Sequence, residues 1–214
     1  MEQENKKRSP LFSLKYLVYD FVKITAGLPG LLWFRPRIRY ENEAAKKRIR
    51  GGAVIFANHV GFFDPIFVMF AVWYRRHRFI CSKEFFESKA RWWFKRFGCI
   101  PVDRQNFNLG SLRTISEALT EGCLVSIFPE GSINDSGALA AFKSGMVLMA
   151  LQGKAPIVPV YLRPGKHFYN RLHIMIGEPI DIISRCGGRP SMPQIEEITA
   201  DLHRKEEELK LLAG

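Results

Sequence analysis

The chain has 214 residues, 47% of them hydrophobic and 25% charged, with a formal net charge of +11. Such a length and apolar content exclude disorder as the default and fit one domain with a sizeable core. The four cysteines, Cys81, Cys99, Cys123 and Cys186, show neither C-x-x-C spacing nor paired histidines nearby. Neither a zinc site nor a secreted disulfide framework is indicated, and reduced thiols in a cytosolic setting are the simple account. The charge is lopsided: residues 1–105 hold 21 Lys and Arg against 9 Asp and Glu, whereas residues 106–214 hold 11 against 12. That excess suits an anionic membrane surface, a polyanionic cosubstrate or nucleic acid, and charge alone does not separate them.

Residues 1–10 are polar and lack the apolar core and cleavage site of a signal peptide. The chain then turns apolar and aromatic to residue 34, but Asp20 and Lys23 interrupt it and Gly27, Pro29 and Gly30 break it. A clean membrane span needs about 20 predominantly apolar residues. The pattern predicts two short helices joined near residues 27–30, with two readings open. They lie in a membrane interface with Arg35, Arg37 and Arg39 toward lipid headgroups, or they pack on the domain core.

Residues 38–40 read as a short strand, and a charged connection follows to Arg50. The β-branched and aromatic run 53–56 reads as a buried strand, and 66–73 as a buried helix with Asp64 at its N-cap and Pro65 at its first position. Strands are expected at 79–81, 99–102, 124–128, 157–161 and 172–176. A helix is expected over 85–97, closed by Gly98. Another is capped by Asn108 and runs through Leu109, Leu112, Ile115 and Leu119 to Gly122 at its C′ position, and a third spans 137–151. Ser191-x-x-Gln194 is a capping box that opens a C-terminal amphipathic helix with Ile195, Ile198, Leu202 and Leu209 on its stripe. Strands alternating with helices predict an α/β fold: a single domain with a largely parallel central sheet flanked by helices, over residues 39–214. The N-terminal two-helix segment occupies residues 1–38. No internal repeat is visible.

The stretch Ala57-Asn58-His59-Val60-Gly61-Phe62-Phe63-Asp64-Pro65 leaves a strand and opens a helix, a common place for chemistry in α/β proteins. On a continuous helix, residues five apart differ by about 500°, so His59 and Asp64 would diverge. They meet only if the chain reverses, which Gly61 permits. If they meet, the carboxylate fixes one ring nitrogen and leaves the other as a base. If they do not, they are a surface histidine and an N-cap acid.

A second stretch, Phe128-Pro129-Glu130-Gly131-Ser132, ends the strand at 124–128. Together with Asn58-His59-x4-Asp64 it resembles the 1-acyl-sn-glycerol-3-phosphate acyltransferase family. Gly98-Cys99-Ile100-Pro101-Val102-Asp103-Arg104 is similar to that family's second motif, and Ala155-Pro156-Ile157-Val158-Pro159-Val160 to its fourth. Phe142-Lys143-Ser144-Gly145 fits between the third and fourth. The likeness covers residues 40–180.

The resemblance implies an enzyme that moves an acyl group from an acyl-CoA or acyl-carrier-protein thioester to a lysophospholipid hydroxyl. It implies that His59 is the general base, Asp64 its orienter, and that the hydroxyl attacks directly. No covalent nucleophile is needed, and Glu130-Gly131-Ser132-Ile133 lacks the G-x-S-x-G elbow of hydrolases. Substrate-binding candidates are Asn58, Lys83, Arg104, Glu130, Gly131, Ser132 and Lys143, of which Lys83 and Arg104 are placed to meet a phosphate. Glu130 would hold a cationic side chain or the acceptor hydroxyl. One departure stands out. Many members carry a basic residue where this chain has Ile133, so either Lys143 or another base supplies the charge, or the acceptor differs. No metal or bound cofactor is implied, and the expected partners are membrane lipids and an anionic membrane surface at its cytoplasmic face.

The aromatic residues Phe62, Phe63, Phe67, Phe70, Phe85, Phe86, Trp92, Trp93, Phe94 and Phe97 serve as core or as an acyl-chain tunnel. Two other functions compete. A non-catalytic lipid-binding protein explains the N-terminus but leaves the motifs idle. A nucleic-acid binder is suggested by Arg75-Arg76-His77-Arg78, although no nucleic-acid module is visible.

Overall fold

The computed structural model describes residues 16–103, 109–134, 139–163, 171–186 and 190–214. In chain order its elements are α1 (Leu17–Thr25), α2 (Gly27–Phe34), β1 (Arg37–Tyr40), β2 (Ala53–Ala57), α3 (Asp64–Ala71), β3 (His77–Ser82), α4 (Glu84–Glu87) and α5 (Arg91–Arg96). There follow β4 (Ile100–Val102), α6 (Leu109–Thr120), β5 (Leu124–Ile127), α7 (Gly145–Gln152), β6 (Ile157–Arg163), β7 (His173–Ile176), α8 (Ile183–Cys186) and α9 (Met192–Ala213).

The strands form one sheet in the order β1-β7-β6-β2-β5-β3-β4. Only β6 and β7 run antiparallel; every other neighbouring pair is parallel. β2 is the middle strand and is wholly enclosed. Its unbroken apolar run is what a parallel strand covered on both faces requires. Val54 and Phe56 pack with Ile115 of α6, Met146 of α7 and Ile195 of α9. Ile55 and Ala57 pack on the other face with Phe67 and Phe70 of α3, backed by Leu31 and Phe34 of α2. The expected α/β architecture and largely parallel sheet are therefore present.

Several elements differ from the sequence pattern for local reasons. α3 begins with Asp64 itself, and Phe63 occupies the cap. The helix expected over 85–97 is two pieces, because Ser88 is extended at φ −82° and ψ 166°. Its hydroxyl donates to Phe85 O at 2.7 Å and accepts from Ala90 N at 3.2 Å, so the side chain replaces the helical ladder. In the helix expected over 137–151, the described residues are helical only from Gly145. Before it, Ala140 N donates to Glu130 Oε2 and Lys143 N to Pro129 O, each at 3.2 Å. These two bonds commit the segment to the loop after β5 instead of to a helical ladder. The expected cap Asn108 lies outside the described residues.

The N-terminal pair breaks at Ala26, one residue before the expected hinge. It packs on the domain through its polar side and leaves apolar side chains outward. Polar groups of α1 face the domain: Asp20 pairs with Arg76 at 2.7 Å, Lys23 reaches Trp73 O and Arg75 O, and Tyr19 accepts from His77 N at 3.1 Å. Gly27 is needed at the crossing, since a Cβ there would meet the Trp73 ring at 2.5 Å. Meanwhile Leu17, Phe21, Ile24, Leu28, Leu32 and Trp33 are exposed. Over Leu17–Phe34 the mean hydropathy is 1.3 and only 11% of the segment is buried. A soluble amphipathic helix buries its apolar side; this one does the reverse.

The run Arg75-Arg76-His77-Arg78 is spent internally. Arg75 binds Ile49 O and Gly51 O, Arg76 binds Asp20, His77 is buried, and Arg78 donates to Gly98 O. It offers no cationic face to a nucleic acid.

Candidate active site

β2 ends where Asn58 takes over the role of a peptide group. Its Nδ2 donates to Leu162 O at 2.9 Å, and its Oδ1 accepts from Leu162 N at 2.7 Å. The side chain is a buried strut between β2 and β6, used up by the backbone rather than offered to a substrate. The next residue is held by the neighbouring loop. His59 N donates to Glu130 Oε1 at 3.0 Å, and His59 O accepts from Asn134 N at 2.7 Å.

The chain then reverses, and Asp64 faces back into the turn. Three donors converge on its Oδ2: His59 Nδ1 at 2.8 Å, Val60 N at 2.6 Å and Gly61 N at 2.8 Å. Asp64 is 1% exposed and its Oδ1 has no partner among the described residues. A buried carboxylate accepts, so Nδ1 carries the ring proton and Nε2 presents a lone pair. The imidazole stacks on Phe128 with centroids 4.3 Å apart and planes at 20°. Its side chain keeps 20% exposure, and no group among the described residues bonds Nε2. A hydroxyl arriving from solvent can therefore meet a base of fixed tautomer.

Glu130 is also buried. Besides His59 N it takes Ala140 N at 3.2 Å and Asn134 Nδ2 at 3.4 Å. The sequence reading gave it a cationic partner or the acceptor hydroxyl; here it anchors the histidine's backbone instead. Gly131 turns the loop at φ +75°, where Lys143 Cε and Nζ stand 3.4 and 3.5 Å from the position of a Cβ. Any larger residue would be strained there and would crowd the lysine. The fold thus draws Lys143, itself exposed, onto the Glu130–Gly131–Ser132 loop, with Ser132 and Ile133 exposed beside it.

Lys83 does not join this group. It sits at the start of α4, 3.8 Å from Glu87, just past β3, the strand two places from β2 or about 10 Å across the sheet. Arg104 lies outside the described residues.

Two contributors escape the motif reading. Phe128 supplies the face on which the histidine rests. Glu206 of α9 is 0% exposed with both oxygens unpartnered among the described residues. Burial, and then the charge of Glu130, push its carboxyl well above the usual range. One signal pointed to it: Glu206 occupies the apolar stripe of α9, four residues after Leu202 and three before Leu209.

A family model described as Acyltransferase matches residues 37–163. A 1-acyl-sn-glycerol-3-phosphate acyltransferase of Bacillus subtilis is 31% identical over 167 residues, covering 74% of this chain and 81% of its own length. The protein of the same name from Streptococcus pneumoniae is 28% identical over 166 residues, covering 73% of this chain and 61% of that one. The crystal structure of the 1-acyl-sn-glycerophosphate acyltransferase PlsC from Thermotoga maritima matches in fold with a TM-score of 0.61. The identity there is 22%, and the match covers 92% of this chain and 80% of that chain.

Proposed function

The chain belongs to the acyltransferase family, and we propose that it acylates the free hydroxyl of a lysophospholipid, foremost 1-acyl-sn-glycerol-3-phosphate, to give phosphatidic acid. The acyl donor is a thioester of coenzyme A or of acyl carrier protein. The observation that carries this reading is the pairing of His59 Nδ1 with a buried Asp64 oxygen at 2.8 Å, which leaves Nε2 open to solvent. Nε2 takes the proton of the acceptor hydroxyl as its oxygen attacks the thioester carbonyl. Asp64 stabilises the imidazolium that forms. When the tetrahedral adduct collapses, the C–S bond breaks and His59 returns the proton to the departing thiolate. Base catalysis of this kind contributes about 10²–10⁴-fold.

The choice of acceptor is supported by the names of the relatives and by the cationic Lys143 against Gly131. Lys143 stands in for the basic residue absent at Ile133. The membrane setting is supported by the outward apolar side of α1 and α2, and by its continuation to the site. Phe34 of α2 meets Phe67 and Phe63, at 4.9 and 6.1 Å between centroids, and Phe62 beside it is 82% exposed. In this reading residues 1–38 seat the protein on the cytoplasmic face of a membrane as a peripheral or monotopic enzyme, and residues 39–214 carry the chemistry.

The test is a thiol-release assay with lysophosphatidate and other lysolipids against both donor types. His59→Ala should abolish turnover while circular dichroism and vesicle binding stay unchanged. Full turnover in that variant would overturn the proposal.

A further inference from the structure

The chemistry above uses nothing from the other flank of the sheet. There the pairing sets Arg37 of β1, His173 of β7 and Arg163 of β6 side by side across three adjacent strands. Directly paired residues share a face, and Arg39 and Arg171, each two residues along, share it too. Their alternating neighbours Leu162, Leu172 and Ile174 are buried in the cluster that includes α3. The row therefore faces the opposite side, beyond Tyr161, Met175 and Leu209 of the small cluster under α9.

This row is unusual in its charges. Arg37, Arg39 and Arg171 are exposed and Arg163 is half-buried. Among the described residues, no carboxylate pairs with any of the four. β1, β6 and β7 contain no acid: Glu41, just after β1, bonds Ile176 O through its N and pairs with Lys205, and the charges of Glu206 and Glu130 bear on Tyr161 of β6. At the centre of the row, His173 Nδ1 is enclosed and has no partner among the described residues. Burial, then Arg163, Arg37, Arg39 and Arg171, hold its ring below the ordinary histidine range.

Arg37 and Arg163 each stand directly opposite His173, about 10 Å from one another across the sheet on one face, so their charges repel, and no carboxylate among the described residues stands between them. A chain that keeps them without a counter-charge is organised for an anion that arrives later. Several guanidinium groups around one donor ring match the oxygens of a phosphate, which arginine binds in bidentate fashion. We propose that Arg37, Arg163, Arg171 and His173, with Arg39 at the rim, form a binding site for a phosphate monoester. The site lies at the same end of the sheet as His59. Arg163 follows Leu162, the residue clamped by Asn58, and Arg37 stands three residues after the end of α2. β6, β7 and β1 are one, two and three places from β2, or about 5, 10 and 15 Å.

Two sources carry that chemistry: the headgroup of the lysolipid or its product, and the 3′-phosphate of coenzyme A. Naming these sources rests on the acyltransferase reading; the anion site does not. The test uses the full chain carrying His59→Ala, so that turnover cannot interfere and a failure of the catalytic reading leaves the readout unchanged. Inorganic phosphate is titrated while the His173 ring is followed by NMR. Bound phosphate should raise the pH at which that ring titrates. Arg37→Gln with Arg163→Gln should weaken phosphate binding at least tenfold, and Arg→Lys at both positions should recover part of it. Arg171→Gln, outside the strands, should reproduce the loss without touching the sheet. Displacement of phosphate by coenzyme A but not by dephospho-coenzyme A assigns the donor. Displacement by lysophosphatidate but not lysophosphatidylcholine assigns the lipid. A silent His173, or phosphate affinity unchanged in the Gln variants, overturns the anion site; displacement by neither compound overturns its assignment to the lysolipid or coenzyme A.

Discussion

Replacing Asp64 by Asn separates the charge of that carboxylate from its geometry. Among the described residues only Oδ2 is used, and it accepts from His59 Nδ1, Val60 N and Gly61 N. An Asn with its oxygen in that place keeps all three bonds and puts its amide in the Oδ1 position, which has no partner to lose. What disappears is the negative charge beside an imidazolium. With charge centres about 4 Å apart and an effective dielectric near 20, that interaction is worth about 4 kcal/mol. The partly exposed ring screens some of it, so Asp64→Asn should lower kcat by about 10²–10³-fold. KM and Tm should change little. Asp64→Ala should show the same catalytic loss and, in addition, a stability loss of about 2–5 kcal/mol, because two backbone amides lose their acceptor. The assay is steady-state thiol release alongside urea unfolding. An Asn variant with kcat within threefold of wild type would refute the role given to Asp64.

Three further outcomes are expected. Glu130→Gln keeps one acceptor oxygen for the two amides of His59 and Ala140, so kcat should fall about 10–100-fold with KM unchanged. A rise in KM alone would return Glu130 to the acceptor hydroxyl. His77 is enclosed between Ser126 Oγ and Val72 O, and burial pushes its ring down to about 3. Its neutral form belongs to the fold, so its contribution is complete above about pH 6.5 and is lost as pH falls toward 3, at most about 5 kcal/mol. His77→Gln should lose less stability than wild type in urea melts between pH 7 and pH 4, and equal losses would contradict this. Glu206 is held protonated, so wild-type stability should decline as pH rises through and beyond the ordinary carboxylate range of about 4.3. Glu206→Gln should escape that decline and melt higher at pH 8 but not at pH 4; a lower melting temperature at pH 8 would count against the assignment.

How much of this could be read in the sequence depends on whether the cause is local. The apolar run before Asn58 announced a strand buried on both faces, and the Ser191–Gln194 box announced α9, because periodicity and capping are encoded within a few residues. The break at Ser88 was not legible, since a serine side chain replacing helical bonds looks like any helical serine. Nor was the non-helical stretch before Gly145, where the amides of Ala140 and Lys143 are claimed by Glu130 and Pro129 of the loop after β5. The backbone bonds of Glu130 are illegible for a related reason. A carboxylate near a phosphate-bearing substrate invites a cationic partner, but its acceptors found backbone amides, which no side-chain pattern advertises.

That last point explains why the two strongest motifs belong together. His59-x4-Asp64 alone fixes the direction of the ring through Nδ1. It does not fix where the ring stands, because the turn at Gly61 could carry His59 and Asp64 as a pair to many positions. The loop after β5 removes that freedom. Glu130 takes His59 N, Asn134 gives its N–H to His59 O, and Phe128 lies flat against the imidazole. β2 and β5 are hydrogen-bonded neighbours in register from Ala53↔Leu124 to Phe56↔Ile127, so their ends present these loops at the same height. One carboxylate therefore orients the base and the other holds its backbone. Both carboxylates are thus engaged by the histidine and backbone amides, which is why the proposed phosphate contacts fall to cationic side chains, Lys143 at this loop and the arginine row on the other flank.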